Sequence, residues 1–255
     1  MRYPLAIIFF IFGFVSSYGQ TVELGTGYIF AAPRGTMKQN INYSNGFNID
    51  FYFTPKEKMY SFGMELDVNM YGHDKTRENF DLADGTSAPM DMVVDNTFTN
   101  LMATGRYFLM KGKIRPFITG KLGYSFFNTD LGIYDPDDKD HCSPVDTKVL
   151  HKDGAVIFTA GVGLRWELLP KKHPGLLFLN LSANYTGGGK VSYMNVDAPS
   201  HTHSTQTTTQ TSDVYARFVN NQTQDVHEHK VATIYSSPID LIDYRAGVAV
   251  RLGRK

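Results

Sequence analysis

Apolar and polar residues alternate along most of this chain with a period of two. From Tyr60 to Met70, the residues Tyr60, Phe62, Met64, Leu66, Val68 and Met70 are apolar. Ser61, Gly63, Glu65, Asp67 and Asn69 lie between them. A strand sends successive side chains to opposite faces, so this segment is predicted as a two-faced strand. The same rhythm runs through Val156–Leu168, Ile242–Leu252, Leu177–Tyr185, Ile118–Phe126 and Phe47–Phe53. It is weaker in Val22–Ala31 and Phe98–Leu109. The reading is eight strands of about ten residues or slightly more, the length a tilted strand needs to cross a bilayer.

The connections alternate in length. Pro55–Met59, Lys111–Arg115 and Pro170–Gly175 are short, whereas 32–45, 71–97, 129–153 and 186–238 are long. An even strand count with short turns at one end and long loops at the other predicts an all-β fold: an eight-stranded antiparallel up-and-down transmembrane barrel. Both termini and the short turns then face the periplasm, and the long loops are extracellular. Periodicity alone leaves open a soluble sandwich or lipocalin-like barrel with the faces reversed. Strand length, loop alternation and the charge on the polar faces favour the membrane.

On the membrane reading the polar faces line the lumen. Glu23, Asp50, Glu65, Asp67, Glu167 and Asp243 then face inward with Arg106, Lys121, Arg165, Arg245 and Arg251. Side chains fill an eight-stranded barrel, so this near balance predicts a closed, salt-bridged lumen rather than a channel. Outward aromatics form two bands: Phe53, Tyr60, Tyr107 and Trp166 toward the short turns, Phe30, Phe47, Phe126 and Tyr185 toward the loops. Such girdles are expected at the two headgroup layers.

Residues 1–19 have the anatomy of a secretory signal peptide. Arg2 precedes the apolar run Leu5–Val15, and small residues Ser17 and Gly19 flank a cleavage point before Gln20. Residues 20–255 are then a single barrel domain. Lys plus Arg equals Asp plus Glu at 25 each, so no net field draws nucleic acid. The single cysteine, Cys142, can form no internal disulfide.

Gly105-Arg106-Tyr107-Phe108-Leu109, then Lys111-Gly112-Lys113-Ile114-Arg115-Pro116-Phe117, then Gly120-Lys121-Leu122-Gly123-Tyr124 resembles the fourth and fifth strands of the outer-membrane β-barrel domain family, the eight-stranded OmpA/OmpX-like barrels. Ala160-Gly161-Val162-Gly163-Leu164 resembles the following strand, and the resemblance spans residues 20–255. It implies an integral outer-membrane location, lipid and lipopolysaccharide as surroundings, and other outer-membrane proteins as partners. It implies no reaction. With the chain ending at Lys255, no peptidoglycan-binding domain is expected.

Candidate chemistry falls in the long connections. His201-Thr202-His203 and His227-Glu228-His229 are two H-x-H pairs, a pattern that suits zinc when further ligands converge. The low-complexity run Ser204–Ser212 between them also suits a plain polar loop. Asp135–Asp140 resembles the start of a calcium loop but lacks its glycine and closing glutamate. No histidine falls within the eight predicted strands, so no positioned general base is expected there. The chain is therefore expected to be non-enzymatic and without a cofactor, zinc at the H-x-H pairs being the alternative. A lipid-modifying enzyme and a small pore are the further alternatives. Lys190–Val196, Val214–Val219 and Lys230–Tyr235 have strand character, and some of them are expected to prolong the last two strands above the membrane.

Overall fold

The computed structural model describes residues 21–55, 58–81, 87–136, 144–169, 175–196, 212–219 and 226–252. Among these described residues, nine strands and one short helix appear in the order β1 (Thr21–Pro33), η1 (Met37–Gln39), β2 (Ser44–Thr54), β3 (Tyr60–Asp81), β4 (Ser87–Phe108), β5 (Ile114–Tyr134), β6 (Asp146–Glu167), β7 (Leu177–Asn195), β8 (Ser212–Val219) and β9 (Val226–Leu252). Each strand from β1 to β6 pairs antiparallel with the next, β9 pairs with β7, and β9 closes on β1 from Val22↔Leu252 to Pro33↔Leu241. The barrel thus has eight strands, and β8 is added to the outer part of β9.

Burial settles the direction of the faces. Leu122 is 63% exposed and Val162 61%, whereas Glu23 and Asp67 are fully buried. A water-soluble protein would bury those aliphatics. Here the apolar belt faces outward and the charges face inward, as the hydrocarbon core of a bilayer requires. Both aromatic bands lie on that outer face. Tyr60, Tyr107 and Trp166 are exposed toward one end, and Phe30, Phe47, Phe126 and Tyr185 toward the other. Phe53 is half-buried against the Phe62 ring, 4.9 Å away.

Tight turns make one end. Gly112 (φ 136°) and Gly175 (φ 74°) occupy the left-handed region that other residues avoid, and each sits in a short connection. A close approach of strands requires glycine elsewhere. A Cβ on Gly63 would lie 1.8 Å from the Phe51 carbonyl oxygen, so the backbone there tolerates no side chain.

The other end departs from the sequence expectation. β3, β4 and β6 each run for 22 residues, about twice a membrane crossing. The segments 71–97, 129–153 and 186–238, predicted as loops, are therefore largely strand over their described residues. Lys190–Val196 continues β7 as far as Asn195, Lys230–Tyr235 belongs to β9, and Val214–Val219 forms most of β8. Above the belt the outward face meets water, so nothing enforces alternation and the period-two signal disappears. Three register shifts mark the boundary: between Met70 and Gly72 on β3, at Leu150 on β6 opposite Thr129/Asp130, and between Gly187 and Lys190 on β7. Such bulges bend a strand and re-aim its side chains.

Candidate functional site

Three stacked layers fill the lumen. The layer nearest the short turns is ionic. Glu23 on β1 accepts hydrogen bonds from Arg251 Nε and Nη2 at 3.1 and 2.8 Å, and its other oxygen lies 2.7 Å from Arg165 Nη2. Glu167 accepts the Gly175 amide proton and lies 3.7 Å from Arg115 Nη2. Phe178 is fully buried among these guanidinium groups. Its ring centre is 4.7 Å from the Arg165 Cζ, 4.9 Å from that of Arg251 and 5.7 Å from that of Arg115. The rings and carboxylates together offset the loss of hydration.

The middle layer is also ionic. Arg245 on β9 bridges three acids, Glu65, Asp67 and Asp243, its Nη2 lying 3.0 Å from Asp67. Lys121 reaches Glu65 at 2.5 Å, and Asn184 donates to Asp243 at 2.7 Å. Asp50 accepts from Asn48 at 3.0 Å. Arg106 is held on rings rather than by an ion pair, its Cζ 4.0 Å from the Tyr52 centre and 4.4 Å from Phe117. Its Nε and Nη1 have no hydrogen-bond partner among the described residues. The internal cavity beside Arg106 has a volume of about 30 Å³.

The outermost layer is aromatic. Phe127 lies 5.2 Å from Phe98, 5.8 Å from Tyr71 and 5.9 Å from Tyr193, centre to centre. η1 folds over this cluster, with Met37 and Ile41 buried in it. Asn40 ties the fold-over down by donating to the Tyr193 hydroxyl at 3.1 Å, and its carbonyl accepts from Asn195. Every lumen residue named from the sequence lies on the lumenal face: Glu23, Asp50, Glu65, Asp67, Arg106, Lys121, Arg165, Glu167, Asp243, Arg245 and Arg251. Sequence reasoning missed the inward aromatics Tyr52, Phe108, Phe117 and Phe178, whose strand parity with Asp50, Arg106, Thr119 and Asn180 was the available signal. It also missed the cap and the role of Arg115.

Above the belt, strand positions correct the expectation that histidines avoid strands. His73 lies in β3, His151 in β6, and His227 and His229 in β9. These are the segments where the alternation had vanished. His73 Nδ1 is hydrogen-bonded to Asp95 at 2.6 Å, and both are at the surface. A carboxylate that orients an imidazole is half of a hydrolytic constellation, but no nucleophile is bonded to His73 among the described residues. Asp91 is paired with Arg77 at 2.7 Å and Lys75 at 2.8 Å, and these hydrogen bonds hold its carboxyl well below the usual range. At the seam between β6 and β7, Asp153 accepts the Ser192 amide proton at 2.7 Å and His151 Nε2 bonds the Ser192 carbonyl at 3.1 Å. Of the H-x-H pairs, His227 and His229 lie two residues apart on β9, whereas His201 and His203 fall outside the described residues. So do residues 1–20, His173, Asp137–Asp140 and Cys142. Among the described residues no group of three or more His, Cys, Asp or Glu is placed to hold a metal.

No family model matches the chain, and no curated protein matches it. Similar solved structures include Neisserial surface protein A, at 12% identity and TM-score 0.44, covering 91% of this chain and 96% of that one. A major outer membrane protein from Thermus thermophilus aligns at 12% identity and TM-score 0.44, covering 92% and 100%. The outer membrane protease OmpT from Escherichia coli aligns at 7% identity and TM-score 0.36, covering 91% and 96%. The architecture rests on the chain's own geometry: a closed antiparallel sheet, an apolar belt outside and buried charge inside. Closed barrels with short turns at one end and long extensions at the other are the β-sheet solution to spanning a membrane. The chain is a closed, eight-stranded antiparallel β-barrel with the apolar outer belt of a membrane-spanning barrel.

Proposed function

We propose that this barrel is a non-enzymatic component of the outer membrane that works through its outer surface. It serves as an accessory subunit of an outer-membrane assembly or as an external contact platform. The short turns and both termini face the periplasm, and the strand extensions face outward. The single observation behind this reading is the pairing of a filled lumen with long ordered strands above the belt. Ion pairs, rings stacked on guanidinium groups and the aromatic cap occupy the lumen's section layer by layer. Meanwhile β3–β6 and β7–β9 project paired strand beyond what the membrane requires. Ordered external structure on a rigid barrel is where contact function concentrates.

The test is extraction from native membranes in mild detergent, followed by identification of what co-purifies. A stoichiometric set of outer-membrane proteins is the expected result. A lone barrel, with other outer-membrane proteins unchanged when the chain is deleted, would sink the subunit reading. Zinc binding at His227 and His229, with His201 and His203 completing the set, is the second reading, and their adjacent alternate positions on β9 support it. Metal analysis of the purified protein before and after chelation would test it.

A further inference from the structure

Two cavities on the outside of the barrel share a wall. The first is an apolar groove of about 610 Å³ in the lipid-facing belt. The strand register explains it. Ala246 on β9 lies between Tyr28 on β1 and Leu181 on β7, so one methyl group separates two large side chains. One row outward, Ala183 lies between Tyr244 and Val162 in the same way. The second cavity, about 320 Å³, is at the η1 end of the belt, where Arg34, Gly35 and Lys38 line it with Tyr244. Tyr244 therefore stands between an apolar slot and a cationic pocket.

The cations sit on a fixed turn. The Arg34 amide donates to the Asp240 carbonyl at 2.8 Å, and the Lys38 amide donates to the Arg34 carbonyl at 3.1 Å. Met37, between them in sequence, is anchored in the lumenal cap. The two side chains themselves are exposed. Asp240 lies beside the turn, since a Cβ on Gly35 would lie 3.0 Å from its Oδ2. Among the described residues the cavity lining carries these two cations and no acid, which leaves a positive excess there.

We infer that this face holds a phosphorylated lipid, with its phosphate between Arg34 and Lys38 and an acyl chain lying past Tyr244 into the groove over Ala246. A guanidinium and an ammonium together suit a phosphate monoester, the one as a planar fork and the other as a point charge. The apolar slot that continues from the same pocket selects a lipid over a free anion. The inference rests on the reading that the η1 rim lies at a headgroup layer.

The test is native mass spectrometry of the full chain in detergent. The probes are dioleoylphosphatidic acid, dioleoylphosphatidylcholine and glycerol 3-phosphate. The expected result is preferential retention of phosphatidic acid. Each of Arg34→Gln and Lys38→Gln should lower it by about fivefold, the equivalent of one surface cation facing an anionic lipid. Ala246→Phe, which fills the slot without touching a charge, should lower it too. Heat-shift on a gel verifies that each variant is folded, and the exposed Lys38→Gln serves if another variant fails. Equal retention of both lipids, or indifference to the two charge variants, would overturn the site. Binding of glycerol 3-phosphate as tight as that of phosphatidic acid would overturn the lipid in favour of a free-phosphate pocket. None of these outcomes bears on co-purifying proteins, so the site and the assembly reading fail separately.

Discussion

Glu23 is the residue on which the ionic layer depends most. It is fully buried, and it answers two guanidinium groups that come from different strands, Arg165 on β6 and Arg251 on β9. Removing one partner of a buried pair costs more than removing both, because the remaining charge stays desolvated. Glu23→Leu should therefore destabilise the barrel by about 3–5 kcal/mol. Adding Arg165→Met to it should recover part of that loss. Urea unfolding from lipid vesicles measures both, with the single tryptophan, Trp166, as a lipid-facing probe. Equal stability of Glu23→Leu and the unmodified protein would mean that the layer is not held by these pairs. Asp91, above the belt, gives a pH signature of opposite origin. Hydrogen bonds from Arg77 and Lys75 lower its folded pKa, so its contribution is complete above the unfolded carboxylate value of about 4. As pH falls below that value towards the folded pKa, the contribution fades and the β3–β4 extension should become more open to protease. Asp91→Asn should be equally open at neutral pH and insensitive to acid. Protease protection of that hairpin across about pH 2–7, in both forms, would show it.

At the scale of elements, the informative place is the seam where β6 and β7 part. Their backbone pairing ends at Ile157↔Gly188, and beyond it β7 presents an open edge toward β6. Side chains take over there, with Asp153 accepting the Ser192 amide proton and His151 bonding its carbonyl. Asp153→Ala should speed exchange of the Ser192 amide by about fivefold, the equivalent of one net hydrogen bond of about 1 kcal/mol. Exchange in β5, paired with the far side of β6, should not change. An unchanged Ser192 rate would mean that the two strands are held together by other contacts. This seam was not legible in the sequence, and the reason is physical. Inside the membrane, lipid on one face and ions on the other impose a strict alternation, so the crossings from Tyr60 to Met70 and from Val156 to Leu168 could be read directly. Above it, water meets the outward face and an aromatic cap meets the inward one. His73, His151 and Asp153 then carry no periodic signature, although they lie in strands. The lumen shows the same division. Its charges were legible because a charge is anomalous among apolar neighbours. Tyr52 and Phe178 were not, because an aromatic suits either face and only its parity tells which.

For the whole molecule, the question is what two independent seals imply. The aromatic cap and the ionic layers close the lumen at different depths and by different physics. The cap joins η1 to β3, β4, β5 and β7 through packing of Met37, Tyr71, Phe98, Phe127 and Tyr193. The layers beneath are cross-linked by charges from β1, β3, β5, β6 and β9. Opening one leaves the other closed, so the barrel is expected to be silent in a planar bilayer under applied voltage. Tyr193→Ala, which removes one ring of the cap, should also be silent, because Arg106, Arg245 and Lys121 still occupy the section below. Glu65→Ala should loosen the middle layer, since it strips a carboxylate from both Lys121 and Arg245, yet it too should not conduct while the cap remains. The combined variant should stay silent as well, because Glu23, Arg165, Arg251 and Phe178 still fill the section nearest the short turns. Single-channel recording of the four proteins checks this. Steps in the unmodified barrel would assign it a transport role and remove the main support for a surface function, while steps in one single variant would identify that layer as the only barrier.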